Sequence, residues 1–115
     1  MSQTKKQLAQ VVLGTATAAL YSAPSSGFAV VKEIFICCTT SGSVTIRLFH
    51  DSDGSTYDKT TALYYDYPVT GNDTVLYQAA SDGGIVIDNI FGKIGGSASV
   101  GSAVTLTMYG EDLIS

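Results

Sequence analysis

The chain has 115 residues, of which 45% are apolar and only 14% are charged. That length suits one domain with one hydrophobic core. The net charge is −4 and the six basic residues form no stripe, so we expect no nucleic-acid binding. No run of about 20 apolar residues is present, which argues against a membrane-spanning helix. Because so few residues are charged, we expect part of the apolar surface to contact a partner.

The first ten residues are mainly polar and predict an N-terminal arm, flexible over residues 1–7. The pair Lys5-Lys6 and the apolar stretch that follows it faintly resemble a signal peptide. Polar residues interrupt that stretch, however, and its apolar part also fits a strand at residues 10–13. We therefore expect a protein that is not secreted.

Most of the chain alternates between short apolar runs and turns rich in Gly, Ser and Asp. The clearest run places Val44, Ile46 and Leu48 on one side of an extended chain, as in a half-buried strand. No segment keeps the 3.6-residue period of a helix over ten or more residues. The pattern predicts eight or nine short strands, at residues 10–13, 18–22, 28–39, 44–50, 60–66, 74–78, 85–87, 93–99 and 103–109, with residues 113–114 as an extension of the last.

Regularly spaced strands with turns between them predict an all-β fold, here an antiparallel, jelly-roll-like β-sandwich of about eight short strands. A single domain is expected over residues 1–115, with residues 1–10 as its arm. The turn at residues 40–42 predicts a hairpin between the strands on either side of it. Pro68 is expected to end the strand that precedes it.

The alternation also assigns side chains to the two faces of each strand. Val31 is out of phase with the apolar positions that follow it, which indicates a bulge near Lys32 and Glu33 or burial of both faces. The predicted core contains Ile34, Ile36, Val44, Ile46, Leu48, Leu106 and Met108. The residues predicted to be more exposed are Thr45, Arg47, Thr105 and Thr107.

Cys37 and Cys38 are neighbours in a predicted strand and point to opposite faces, so a disulfide between them would be strained. We expect two reduced thiols, at least one of them packed as a small hydrophobic residue. This indicates a protein made in a reducing compartment. A metal site would need further Cys or His ligands, and His50 is the only histidine.

The segment His50-Asp51-Ser52-Asp53 contains the residue types of a catalytic triad. Its residues are consecutive, and neighbouring side chains do not converge as a nucleophile, base and orienting group must. We interpret the segment as a polar loop whose Asp and Ser side chains cap their own turn.

Three carboxylates in the same loop, Asp51, Asp53 and Asp58, resemble a calcium-binding loop. An EF-hand needs glycine at loop position 6 and glutamate at position 12, whereas here glycine is at position 4 and Ala62 at position 12. Weak calcium binding and a solvated acidic loop are both compatible with the sequence.

Five tyrosines lie in the central third of the chain: Tyr57, Tyr64, Tyr65, Tyr67 and Tyr77. They fit a core and sheet face, a protein interface, or a sugar-binding platform, although such platforms often include tryptophan and this chain has none. The glycine-rich segment at residues 92–96 lacks the Gly-Lys-Ser/Thr ending and the helix of a phosphate loop, so a bend or bulge is expected. No catalytic, cofactor-binding or metal-ligating residue is assigned.

Four stretches resemble small β-sandwich virion proteins of tailed bacteriophages. They are Leu13-Gly14-Thr15 with Leu20-Tyr21 and Pro24; Val30-Val31-Lys32 with Ile34; Arg47-Leu48-Phe49-His50-Asp51 with Asp53-Gly54 and Thr56-Tyr57-Asp58; and Leu106-Thr107-Met108-Tyr109-Gly110-Glu111. The resemblance covers nearly the whole chain from about Leu13, and residues 47–58 are its most distinctive part. It implies a non-enzymatic structural protein of the virion, made in the host cytoplasm, with no cofactor and no active site.

The resemblance further implies a capsid decoration (cement) protein that binds and stabilises the head shell, often as a trimer at local three-fold positions. Its partners would be the major capsid protein or other virion proteins, and further copies of itself. A neck, tail or fibre-attachment protein is the alternative within the virion. A carbohydrate-binding module would be supported by an exposed aromatic row, and a small jelly-roll enzyme would need a histidine cluster.

Overall fold

A computed structural model describes residues 2–24, 28–51, 54–78, 85–87 and 91–114. The side chains of residues 2–6 and 112–114 are not described. Within these ranges the chain forms nine strands and no helix, and no segment could cross a membrane as a helix. The strands are β1 (Ser2–Val12), β2 (Ala18–Ser22), β3 (Ala29–Cys38), β4 (Val44–Asp51), β5 (Ala62–Val69), β6 (Thr74–Gln78), β7 (Ile85–Ile87), β8 (Lys93–Ala98) and β9 (Val104–Ile114).

The strands form two antiparallel sheets that pack as a sandwich. Sheet A has the order β1-β9-β3-β6, with β7 also paired to β3, and sheet B has the order β2-β8-β4-β5. Each strand of the first half therefore pairs with a strand of the second half in reverse order: β4 with β5, β3 with β6 and β7, β2 with β8, and β1 with β9. A long hairpin rolled up in this way is a jelly roll, so the predicted fold class is confirmed.

The predicted hairpin between the third and fourth strands is wrong. β3 lies in sheet A and β4 in sheet B, so the turn at residues 39–43 crosses from one sheet to the other. At this corner the backbone N–H of Thr39 donates to the carbonyl of Ala103, and that of Cys38 donates to Asp73. A short polar turn serves a hairpin and a sandwich corner equally well, and side-chain alternation identifies the face of a strand but not its neighbour.

The core lies between the sheets and contains every residue predicted for it, from Ile34 to Met108. Leu13, Ile87 and Ile94 are also fully buried there. Thr45, Arg47 and Thr105 are partly exposed, as predicted. Thr107 is the exception: it is only 9% exposed because it lies mid-sheet between β1 and β3, where the Gln10 side chain covers it and donates a hydrogen bond to its hydroxyl.

The predicted bulge is present in β3, where the register with β9 shifts between Val31 and Glu33. Gly110 lies opposite this point, and a Cβ there would collide with the carbonyl oxygen of Val30. Lys32 forms an ion pair of 2.6 Å with the buried carboxylate of Glu111. Val31 and Ile34 are three residues apart and would point to opposite faces of a regular strand, so the bulge explains how both are buried in the core.

The predicted flexible arm is instead the outer strand of sheet A. β1 pairs with β9 along its whole length, and Leu8 and Ala9 pack partly against the core. Backbone pairing does not need apolar side chains, and polar residues with lysines are common on edge strands, so a polar composition did not exclude a strand. The extension of the last strand through Ile114 is confirmed.

Pro68 does not end its strand, because β5 continues to Val69. Thr45 of β4 lies opposite Pro68, and β5 has no partner on its other side among the described strands. An edge strand tolerates proline because its missing N–H can lie on the open side.

Candidate functional site

The outer face of sheet B carries a small aromatic cluster separate from the core. Phe49 points away from the core, as the alternation predicts, yet it is only 1% exposed. The loop between β4 and β5 folds back so that Tyr57 covers it, with ring centroids 6.0 Å apart. The Tyr57 ring also lies on Gly95, where an added Cβ would come within 2.7 Å of it. Tyr57, from the described part of this loop, thus covers part of sheet B.

Tyr57 is held in an apolar environment. Its hydroxyl is buried without a hydrogen-bond partner among the described residues. Burial, with a smaller contribution from the negative charge of Asp51, raises the pKa of Tyr57. The side chain therefore acts as a neutral packing group at neutral pH.

Arg47 and Asp66 form a two-point ion pair beside this cluster. Arg47 Nε lies 2.7 Å from Asp66 Oδ1, and Arg47 Nη2 lies 3.2 Å from Oδ2. These hydrogen bonds lower the pKa of Asp66 and raise that of Arg47. Asp66 has a φ of 54° at a bulge in β5, which an aspartate tolerates better than most residues. The guanidinium carbon of Arg47 also lies 4.2 Å from the ring centre of Tyr65.

The two candidate sites that follow β4 lie partly outside the described residues. Ser52 and Asp53 lie outside the described residues, so the triad and the calcium hypothesis are only partly placed. The described carboxylates serve the loop itself: Asp51 accepts hydrogen bonds from the backbone N–H groups of Ser55 and Thr56. Asp58 accepts from the backbone N–H and the hydroxyl of Thr60, which lower its pKa. This supports the interpretation that the loop caps its own turns.

No group of three or more His, Cys, Asp or Glu side chains that could hold a metal ion occurs within the described ranges. Cys38 is buried in the core, Cys37 lies half-buried on the other face of β3, and both are free thiols. This agrees with the expected pair of unbridged cysteines, one of them packed as a small hydrophobic residue.

The central tyrosines are divided between partly buried and exposed positions, since Tyr65 and Tyr67 on β5 are 40% and 38% exposed. Tyr64 and Tyr77 pack partly against the core, and Tyr64 contacts Tyr67 with ring centroids 4.8 Å apart. One face of the Tyr65 ring is occupied by Arg47. Tyr64 and Tyr77 thus serve as core and sheet-face residues, whereas the exposed Tyr65 and Tyr67 leave the interface and sugar alternatives untested.

The glycine-rich segment forms the regular strand β8 rather than a bend. The register shift nearby lies in β2, between Ala19 and Tyr21. Gly95 and Gly96 are buried because neighbouring side chains occupy the space that a Cβ would fill. The strand predicted at residues 93–99 is confirmed, and the irregularity predicted for this segment is found in its pairing with β2. Close packing over the strand is the physical reason for the glycines.

A polar depression on the outer face of sheet B was not predicted from the sequence. It has a volume of about 190 Å³ and lies beside the Arg47–Asp66 pair. Its lining residues are Thr15, Thr17, Thr45, Arg47, Asp66, Ser97, Ala98 and Ser99. They come from the β1–β2 loop, from β4, β5 and β8, and from Ser99 directly after β8, so only the register of the folded sheet brings them together.

The outer face of sheet A is apolar over much of its area. Phe35 and Tyr109 form an edge-to-face pair with ring centroids 5.7 Å apart, and Leu76 lies next to Phe35 on β6. Val12 and Val86 continue the face along β1 and β7. All five side chains are more than a third exposed. These residues occupy the outward phase of their strands, which the sequence alone indicates. Only the strand order shows that they share one face, together with the polar Glu33 and Gln78.

No protein-family model matches the chain, and no curated protein matches it. Among solved structures, the chain is similar to a chain in the structure of infectious bursal disease virus, Gx strain, with 18% sequence identity and a TM-score of 0.41. The similarity covers 96% of this chain and 30% of that chain, so this chain spans less than a third of the matched chain's length.

Proposed function

We propose that this protein is a structural component of a virion, and that it is a decoration protein which binds the outside of a tailed-bacteriophage head shell. The observation that carries the proposal is the apolar outer face of sheet A on a jelly-roll domain. Jelly rolls occur in viral capsids and in lectins. Because a fold hosts many functions, the choice between them rests on this face and on the phage resemblance of the sequence.

The outer face of sheet A has the composition of a protein contact. Aromatic residues are enriched in the core of interfaces, and charged residues are depleted there. Here Phe35, Tyr109 and Leu76 form the centre. The carboxylate beside Phe35 and Tyr109, that of Glu33, accepts a hydrogen bond from the Gln78 side chain. Clusters of exposed apolar side chains mark interaction sites, and covering this one by a shell protein would remove apolar area from water.

We propose further that the protein assembles as a homo-oligomer, a trimer in the phage pattern, and acts without catalysis or cofactor. The edges of the sheets support association: β1 is an eleven-residue strand with no neighbour on its outer side among the described strands. An unpaired edge tends to pair with another chain. The edge of β1 thus takes the place of the loose arm as the element that contacts a neighbouring copy or the shell.

A matched pair of leucine substitutions tests the docking face. Leu76 on sheet A is 44% exposed and Leu63 on sheet B is 39% exposed, so neither change removes a core residue. Leu76→Glu should abolish binding to head shells that lack the protein, because it places a charge in the proposed contact. Leu63→Glu should bind like the original protein. Binding is measured by co-sedimentation with purified shells, and oligomeric state by sedimentation velocity.

The location within the virion is tested separately, by mass spectrometry and immunogold labelling of purified particles. Label over the head surface supports decoration, whereas label at the neck, tail or fibre attachments would transfer the proposal to the alternative virion role. Absence of the protein from purified virions would overturn the virion proposal. Equal binding of the two glutamate variants would overturn the choice of docking face.

A further inference from the structure

The polar depression on sheet B holds hydrogen-bonding groups that the fold does not use. Ser97 lies in it and is only 6% exposed. No hydrogen bond within the described residues involves the side-chain hydroxyl of Ser97, Thr15, Thr17 or Thr45, and these four hydroxyls line one surface. Ser97 is the buried member of this group, whereas Thr15 and Thr17 are exposed and Thr45 is partly exposed. Hydroxyls without a protein partner are available to water or to a bound molecule.

The charged groups beside the depression form a fixed and neutral pair. The bidentate contact between Arg47 and Asp66 fills only part of their capacity, since a guanidinium has five N–H donors and a carboxylate has about four acceptor sites. Stacking of Arg47 on Tyr65 holds the guanidinium plane in place. The remaining donors and acceptors lie next to the free hydroxyls. The lining therefore offers both donors and acceptors, and its cation and its anion are paired with each other.

These features define the chemistry of a ligand. An anion would meet the Asp66 carboxylate and a cation would meet the Arg47 guanidinium, so a neutral molecule is favoured. A volume of about 190 Å³ corresponds to about six waters at ~30 Å³ each, which is the scale of one sugar ring. A sugar presents hydroxyls that both donate and accept, and these match the lining.

We propose that this depression binds one neutral sugar residue, carried either on a glycan or as the free sugar. The aromatic platform that sugar sites often use is not required, since the Tyr65 ring serves here as a support for Arg47. Without such stacking, and with bound waters to displace, a single free sugar should bind with a dissociation constant on the order of 1 mM or weaker. A glycan that presents the same sugar repeatedly to an oligomer should bind more tightly through multivalency.

The inference is tested by NMR titration of the full-length protein with galactose, glucose, mannose and N-acetylglucosamine. A neutral glycan array then tests polymeric presentation. Amide shifts should be confined to the lining residues, above all Thr15, Thr17 and Ser97. Ser97→Ala should weaken binding by about 3- to 10-fold, the effect of one lost hydrogen bond. Ser22→Ala is the matched control on exposed β2 and should leave binding unchanged.

Thr17→Ala provides a second variant, since Thr17 is exposed and its truncation spares the fold. Binding on the array but not to free sugars would support recognition of a glycan, and binding of both would support recognition of either source. The inference is overturned if no sugar shifts the lining residues at 100-fold excess, if shifts fall on other surfaces, or if both lining variants bind like the control.

Discussion

Gly95→Ala tests directly whether the loop between β4 and β5 folds over sheet B. A Cβ at position 95 would lie 2.7 Å from Tyr57 Cε1 and 2.8 Å from its Cζ, closer than carbon atoms can approach. The substitution must displace the Tyr57 ring and expose the Phe49 ring beneath it. The same methyl group in a strand that lacked this cover would meet only solvent.

The expected cost is about 1–3 kcal/mol, the range for overpacking a closely packed site. This cost cannot exceed the free energy of the Tyr57 contacts, because the loop can move away and so relieve the collision. In a Tyr57→Ala background the methyl group has room, and Gly95→Ala should become neutral or stabilise by about 0.4–1 kcal/mol through reduced freedom of the unfolded chain. The double-mutant cycle should therefore give a coupling free energy of about 2 kcal/mol.

Urea unfolding followed by circular dichroism measures the four free energies of the cycle. Gly14→Ala is the control, since a Cβ there meets nothing within 4 Å, and it should change the free energy of unfolding by no more than about 0.5 kcal/mol. If Gly95→Ala costs the same with and without Tyr57, the ring does not lie on Gly95. The loop would then leave Phe49 uncovered in solution.

Three further outcomes follow from particular side chains. Leu48→Ala should cost about 2–5 kcal/mol because Leu48 is fully buried, whereas Leu63→Ala, at an exposed site, should cost about 1 kcal/mol or less. If Leu48→Ala and Leu63→Ala lowered the free energy of unfolding equally, the assignment of Leu48 to the buried face would be wrong. Tyr57→Phe should be neutral or stabilise by about 1 kcal/mol, because it removes a buried hydroxyl without a described partner; a clear loss of stability would reveal a partner. The Asp66 pKa, measured by carboxyl NMR, should lie below the ordinary 3.8 and return toward it in Arg47→Ala. Since folding lowers the pKa of Asp66, the ion pair stabilises the fold fully above the ordinary pKa of 3.8. This stabilisation is lost as the pH falls through the lowered pKa. An unshifted pKa of Asp66 would contradict the ion pair.

The sequence predicted the faces of the strands better than their neighbours. Alternation correctly placed Ile46 and Leu48 inside and Arg47 outside, because burial on one face imposes a two-residue period. It could not pair β3 with β9, since that pairing joins residues about seventy positions apart and depends on the rolling of the whole hairpin. The same limit explains the β1 error, because an edge strand is held by backbone hydrogen bonds that leave no apolar pattern.

The candidate sites show a similar division. Local reasoning correctly gave the loop carboxylates Asp51 and Asp58 a capping role, because their partners are only a few residues away. The burial of Phe49 could not be read from its outward phase, since its cover comes from a loop that folds back. The polar depression joins Thr17, Arg47 and Ser97 from distant segments, and no local motif carries that juxtaposition.

The two outer faces of the sandwich differ in a way that connects both proposals. On sheet B, the loop covers Phe49 with Tyr57 and leaves a polar surface beside it. On sheet A, no described segment covers Phe35 and Leu76 in the same way. Docking through sheet A would therefore cover the exposed apolar side chains of that face. The depression on the opposite side of the sandwich would remain open to solvent. The two activities should then be separable: Leu76→Glu should lose the shell and keep the sugar, and Ser97→Ala should do the reverse. A single variant that lost both while remaining folded would mean that one face serves both contacts.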